Sequence, residues 1–182
     1  VEYLLQEIPR RISHPLEVNY DFARTILTEA GGHLNTVAAD HQCEVADLAC
    51  TVLFSVLSEC GAFFAQVGDG AWVIQQNGEY VVPIWPSNGE YVNETTFLTS
   101  SNWPDTLRCH FAPGKVTAVA GFTDGIERVA LEWATRSAFA PFFDPLFAVL
   151  RDTGEEQQLV SGLREFLLSD RFAGRTDDDK TL

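Results

Sequence analysis

Apolar residues recur at helical spacing from the first residue, where Val1, Leu4, Leu5 and Ile8 share a face before Pro9 interrupts it. Phe22, Ala23, Ile26, Leu27 and Ala30 predict a second helix, which Gly31-Gly32 weakens or ends. From Leu48 to Leu57 the pattern becomes that of a buried strand, and Ala62 to Val67, Ala71 to Gln76 and Glu79 to Ile84 follow as further short strands. Asn77-Gly78 between the last two is a type I′ hairpin signal, because both residues accept positive φ at little cost.

Trp85 to Asn93, with its Pro, Ser, Asn and Gly, reads as a loop, and Thr95 to Leu98 and Thr106 to Phe111 as strands with breaks at Pro104 and Pro113. Val116 to Phe122 is nearly all apolar. It predicts a strand buried on both faces that delivers Thr123-Asp124-Gly125 at its C-terminal end. Arg128 to Leu168 is helical in pattern, clearest where Leu159, Leu163, Phe166 and Leu167 share a face, with Pro141 and Pro145 breaking an earlier stretch. Arg175 to Lys180 is a polar turn leading into a strand at Thr181-Leu182. Helices, then antiparallel strands, then helices, then a strand predict an α+β layered domain rather than an alternating one. With 182 residues and 46% hydrophobic content, one domain over 1–182 is expected.

The formal net charge of -14 disfavours nucleic acid and anionic membranes as partners. It does not disfavour a phosphorylated substrate, because bound divalent ions reverse the local sign at a small acidic site. No apolar run reaches the length that spans a bilayer, and the N-terminus does not resemble a signal peptide, so a cytoplasmic protein is expected. Cys43, Cys50, Cys60 and Cys109 form no zinc-ligand spacing and read as reduced thiols. His14, His33, His41 and His110 show no ligand spacing, and Trp72, Trp85, Trp103 and Trp133 read as core or loop anchors.

Three aspartates remain, each where an apolar segment meets a turn: Asp69 in Val67-Gly68-Asp69-Gly70, Asp124 in Thr123-Asp124-Gly125, and Asp178 in Asp178-Asp179-Lys180-Thr181. Such carboxylates hold hard divalent cations, and in pairs they support hydrolysis of phosphate esters. Each has a plainer reading. Asp69 lies at a hairpin-like bend, Asp124 in a common Asp-Gly turn, and Asp178 in an acidic run of the kind that is usually a solvated loop.

In sequence order these segments resemble the later motifs of the PP2C-type metal-dependent serine/threonine protein phosphatases, bacterial branch. Ala49-Cys50-Thr51-Val52 is similar to the family's small-Thr-Thr strand, and Gln66-Val67-Gly68-Asp69 to its Val-Gly-Asp strand end. Phe122-Thr123-Asp124-Gly125 is similar to its Ser/Thr-Asp-Gly, and Asp178-Asp179-Lys180-Thr181 to its final Asp-Asn-x-Thr, with Asp179 in place of Asn. The resemblance implies a four-layer α-β-β-α sandwich, two antiparallel sheets flanked by helices. It implies two Mn2+ or Mg2+ ions held by Asp124 and Asp178, and Asp69 near a third ion or a water. Gly68, Thr123, Gly125 and Asp179 are the motif neighbours. The implied reaction is hydrolysis of a phosphomonoester by in-line attack of a metal-activated water, with no catalytic side chain beyond it. The implied substrate is a phosphorylated protein, with a cognate protein kinase as partner.

The family's first Asp-Gly, whose Asp bridges both metals, is absent from the chain, and the helix at Val1 resembles the one that follows that motif. The first strands and the missing motif are therefore expected just upstream, and the chain is expected to be truncated at both ends. A catalytically inactive regulatory or protein-binding module with the same fold is the alternative, and a phosphatase of small phosphate esters is another.

Overall fold

The computed structural model describes residues 1–12, 17–86, 95–152, 156–169 and 181–182. His14, most of the Trp85 to Asn93 loop, the polar turn at Arg175 to Lys180 and both Asp178 and Asp179 lie outside them. The class is α+β: six α-helices and small antiparallel sheets among the described residues. The chain divides into two compact units, Val1–Asp69 with Pro86–Val116, and Gly70–Trp85 with Thr117–Leu182.

In the first unit, α1 (Glu2–Arg11) continues past Pro9, contrary to the break expected there. Pro9 lies in the last turn, where Arg10 and Arg11 both reach Glu7, at 3.0 and 2.9 Å, and hold that turn closed. Its packed face is also narrower than the sequence pattern. Tyr3, Leu4, Ile8 and Ile12 pack on the core, whereas Val1 and Leu5 are exposed.

Helix α2 (Tyr20–His41) runs straight through Gly31-Gly32. Each glycine costs a helix about 1 kcal/mol relative to Ala. Strong ends and a buried stripe outweigh that cost. Asn19 Oδ1 accepts the N–H of Phe22 at 3.0 Å, Gln42 closes the other end at φ 55, and Ala23, Ile26, Leu27, Ala30 and Ala38 are buried.

Strands β1 (Val52–Ser58), β2 (Gly61–Val67) and β5 (Arg108–Pro113) form an antiparallel sheet in the order β1-β2-β5. Every residue of the central β2 is buried. The strand expected from Leu48 begins later, at Val52, because Val45–Leu48 closes a 3-10 turn first. Thr95 to Leu98 is not a strand: Leu98 N donates to Cys50 O at 2.8 Å as an isolated tie. Pro104 does not break the chain but sits in the first turn of the short helix α3 (Trp103–Thr106), where its missing N–H has no bond to lose.

All four cysteines are free thiols. Burial pushes the Cys109 thiol up to about 11 and raises that of Cys50 as well, whereas Cys60 is exposed. Iodoacetamide near neutral pH should therefore alkylate Cys60 before Cys50 and Cys109, as followed by peptide mass. Cys109 reacting first would contradict this packing.

The second unit is built on the sheet β4-β3-β6, from β3 (Ala71–Gln76), β4 (Glu79–Val81) and β6 (Ala118–Phe122). Asn77 and Gly78 take φ of 52 and 82, the type I′ geometry that their sequence predicts. Strand β4 is shorter than expected, and β6 is half-buried rather than covered on both faces.

Beyond β6, the expected helical stretch is three helices with a small hairpin after the first. Helix α4 (Asp124–Ala130) is followed by a small hairpin, β7 (Leu131–Glu132) with β8 (Ser137–Ala138), and then by α5 (Ala140–Asp152) and α6 (Glu156–Leu168). Pro141 falls in the first turn of α5 and does no damage there. Pro145 is tolerated inside the helix because Phe142, Phe143 and Phe147 are buried around it. Leu159, Leu163, Phe166 and Leu167 of α6 are all half-buried, as their spacing predicts.

Tyr80 of β4 packs on Phe143 and Phe147 and donates to Asp144 Oδ1 at 2.7 Å. Burial first, and then the bond to Asp144, push its hydroxyl from 10.0 up to about 12. The unfolded chain thus gives up this proton at a lower pH than the folded one. The stabilisation is complete below pH 10 and is lost as the pH climbs towards 12. Tyr80→Phe should flatten the fall in stability across that window in denaturant titrations. An unchanged slope would show that the Tyr80 proton is not linked to folding.

Candidate functional site

Three segments of the sequence converge on one end of the β4-β3-β6 sheet. Strand β3 pairs antiparallel with β6 in a register that sets Ala71 opposite Phe122. The start of β3 and the end of β6 are therefore neighbours, and the chain enters the sheet through Gly70 and leaves it through Thr123. Thr123 N donates to Thr181 O, and Thr181 N donates to Thr123 Oγ1, both at 3.2 Å. Thr181-Leu182 is not a regular strand, but one backbone bond and one bond to the Thr123 hydroxyl tie it to the end of β6, and Leu182 packs on the core below.

Asp124 follows Thr123 and opens α4, with Thr123 as the preceding cap residue. It is exposed, and its Oδ1 accepts the N–H of Gly125 at 2.9 Å. The plainer reading of Asp124-Gly125 as a simple turn is not what the structure has. Gly125 is a buried residue of the helix.

Asp69 ends the first unit, in the link from β2 to β3, which belong to different sheets, so the expected hairpin-like bend is a crossing. Gly68 and Gly70 on either side both take φ of 91. The turn is held by named groups. Gly68 O accepts from Gln66 Nε2 at 3.2 Å and from Arg108 Nη2 at 3.1 Å, and Asp69 Oδ2 accepts from the Thr95 hydroxyl at 2.7 Å. The Gly70 N–H donates to Glu127 Oε1 at 3.1 Å.

Of the residues singled out in the sequence, Thr123, Asp124 and Gly125 thus stand together at the strand end beside Thr181. Gly68 and Asp69 stand in their own turn, and Asp178 and Asp179 are outside the described residues. Among the described residues no group of three or more His, Cys, Asp or Glu is gathered as a metal centre requires. The sequence reading missed Glu127, Thr95 and Arg108. Only Glu127 carried a signal, being an acid whose helical neighbours Ile126 and Ala130 are apolar.

His33 stacks on Tyr3, Trp72 and Trp103 are buried, and Trp85 meets Trp133 edge to face, all as structural roles predict. No described helix is long and apolar enough to cross a membrane.

The sequence profile of the family described as Protein phosphatase 2C matches residues 1–164, a stretch that includes Asp69 and Asp124. The chain is also 40% identical, over 140 residues, to serine/threonine-protein phosphatase 3 of Escherichia coli (strain K12). That alignment takes in 76% of this chain and 55% of the relative, so the chain spans little more than half the relative's length. No solved structure matches the chain significantly. With a family match over most of its length and 40% identity to a phosphatase over 140 residues, the chain belongs to the protein phosphatase 2C family.

Proposed function

We propose that residues 1–182 act as one metal-dependent protein serine/threonine phosphatase domain, which hydrolyses phosphomonoesters on phosphorylated proteins. The observation that supports it most is the tie of Thr181 to Thr123, because it sets Thr181 at the strand end that carries Asp124. Asp178 precedes Thr181 by three residues in the sequence.

The donors suit hard ions. Asp124 is an exposed carboxylate at a defined helix start, and oxygen ligands of this kind take Mn2+ or Mg2+. Asp124 and Asp178 would hold two such ions, and Asp69 would serve a third ion or a water. Bound there, the ions would supply Lewis acidity towards the phosphoryl oxygens and a water acidic enough to deprotonate near neutral pH.

The chain's own groups prepare that site. The Gly125 N–H orients the Asp124 carboxylate, and Thr95 holds that of Asp69. A cognate protein kinase that makes the phosphoprotein is the corresponding partner, and a cytoplasmic location fits such a pair.

Hydrolysis of p-nitrophenyl phosphate and of a phosphothreonine peptide by the full-length protein should require Mn2+, stop on addition of EDTA and return with Mn2+. No turnover from a protein that includes an upstream Asp-Gly would favour a binding module of the same fold.

A further inference from the structure

Glu127 is 9% exposed, on a helix whose residues Ile126, Val129 and Ala130 are also buried. An ionised carboxylate is unfavourable in such a place unless it is hydrogen-bonded. Its Oε1 accepts the Gly70 N–H at 3.1 Å. That N–H belongs to the peptide joining Asp69 to Gly70, so the carboxylate fixes the plane of the peptide that follows Asp69. The restraint matters because Gly70, at φ 91, lies in a region that glycine enters and leaves freely. Glu127 also lies three residues after Asp124, in the first turn of the same helix.

We propose that Glu127 is a positioning residue, which orients the Asp69–Gly70 peptide from the helix that begins with Asp124. Its catalytic consequence rests on the phosphatase reading above. The role belongs to the acceptor at that reach rather than to the negative charge. Two conservative variants separate these properties: Glu127→Gln keeps an oxygen at the same reach without the charge, and Glu127→Asp keeps the charge and withdraws the oxygen by one methylene.

Residues 1–182 contain two Asp-Gly pairs, Asp69-Gly70 and Asp124-Gly125. Labelling the full-length protein with carbonyl-13C aspartate and 15N glycine restricts the amide cross-peaks to Asp-Gly peptides, and those of Gly70 and Gly125 are assigned by their loss on Asp69→Asn and Asp124→Asn. Glu127→Asp is expected to speed hydrogen exchange at Gly70 about fivefold or more, as loss of a hydrogen bond does, with Gly125 unchanged. The same variant should lower kcat for p-nitrophenyl phosphate at constant KM, and Glu127→Gln should recover both readouts. Parent-like exchange at Gly70 in Glu127→Asp would overturn the proposal, as would a Glu127→Gln variant as impaired as Glu127→Asp. A parent protein without turnover would remove the phosphatase reading alone, because exchange at Gly70 still decides what Glu127 holds.

Discussion

On the proposed phosphatase reading, Asp124→Asn should cut Mn2+-dependent hydrolysis by about 100-fold or more, since loss of even a group that only supports a metal ligand costs 10–100-fold. The fold should survive. The Asn Oδ1 can still accept the Gly125 N–H, the bond that Asp124 makes at 2.9 Å, and the exposed side chain leaves no cavity. Asn also gives up the favourable meeting of a negative charge with a helix N-terminus, worth under about 1 kcal/mol at an exposed position. Asn offers a divalent ion an oxygen of similar reach without the charge that binds and neutralises it. The expected pattern is thus a nearly unchanged Tm and circular dichroism spectrum beside a collapse of Mn2+-dependent hydrolysis. Activity retained at the parent level would remove Asp124 from the metal site, and loss of both fold and activity would mark it as structural.

The elements that were legible in the sequence are those whose signal is local. Asn77-Gly78 takes the turn its residues require, β3 has the bounds its apolar run predicts, and α6 packs the face its spacing picks out. Errors arose where a local breaker met a stronger tertiary demand. Gly31-Gly32 lies inside α2 because the caps at Asn19 and Gln42 and the buried stripe between them outweigh the glycine cost. Pro145 lies inside α5 because three buried phenylalanines hold the helix in place.

Strand limits were least legible, since Leu98 is tied to Cys50 by one hydrogen bond that no periodicity encodes. Asp69 and Asp124 were visible as residue types where apolar segments end. What holds them was not visible, because Thr95 lies 26 positions from Asp69 and Glu127 lies 57 from Gly70. Partners at such separations follow from the order of strands in the sheets, which the sequence pattern does not state.

Gly68→Ala should destabilise the first unit by about 2–5 kcal/mol, from about 1–2 for a positive φ at a residue with a Cβ and about 1–3 for overpacking. Gly68 has φ 91, and a Cβ there would stand 2.4 Å from Thr51 Cγ2, 2.8 Å from Thr51 Cβ and 2.9 Å from the backbone oxygen of Thr96. A side-chain methyl can rotate away. A carbonyl oxygen moves only with its backbone, so the turn must shift. The shift would disturb the Gly68 carbonyl, where Gln66 and Arg108 converge, and with it the direction in which Asp69 leaves the turn. The contact also links two segments that resemble the family's motifs: Thr51 of the first stands where a Cβ at Gly68, in the turn before Asp69, would have to go. Gly78→Ala is the matched control, with φ 82 and nothing within 4 Å of the added Cβ. It should carry the conformational cost alone, about 1–2 kcal/mol. Denaturant unfolding of the two variants beside the parent separates the terms. A Gly68→Ala midpoint well below that of Gly78→Ala would place the constraint in the contact with Thr51 and Thr96, and equal midpoints would show that φ alone selects glycine there.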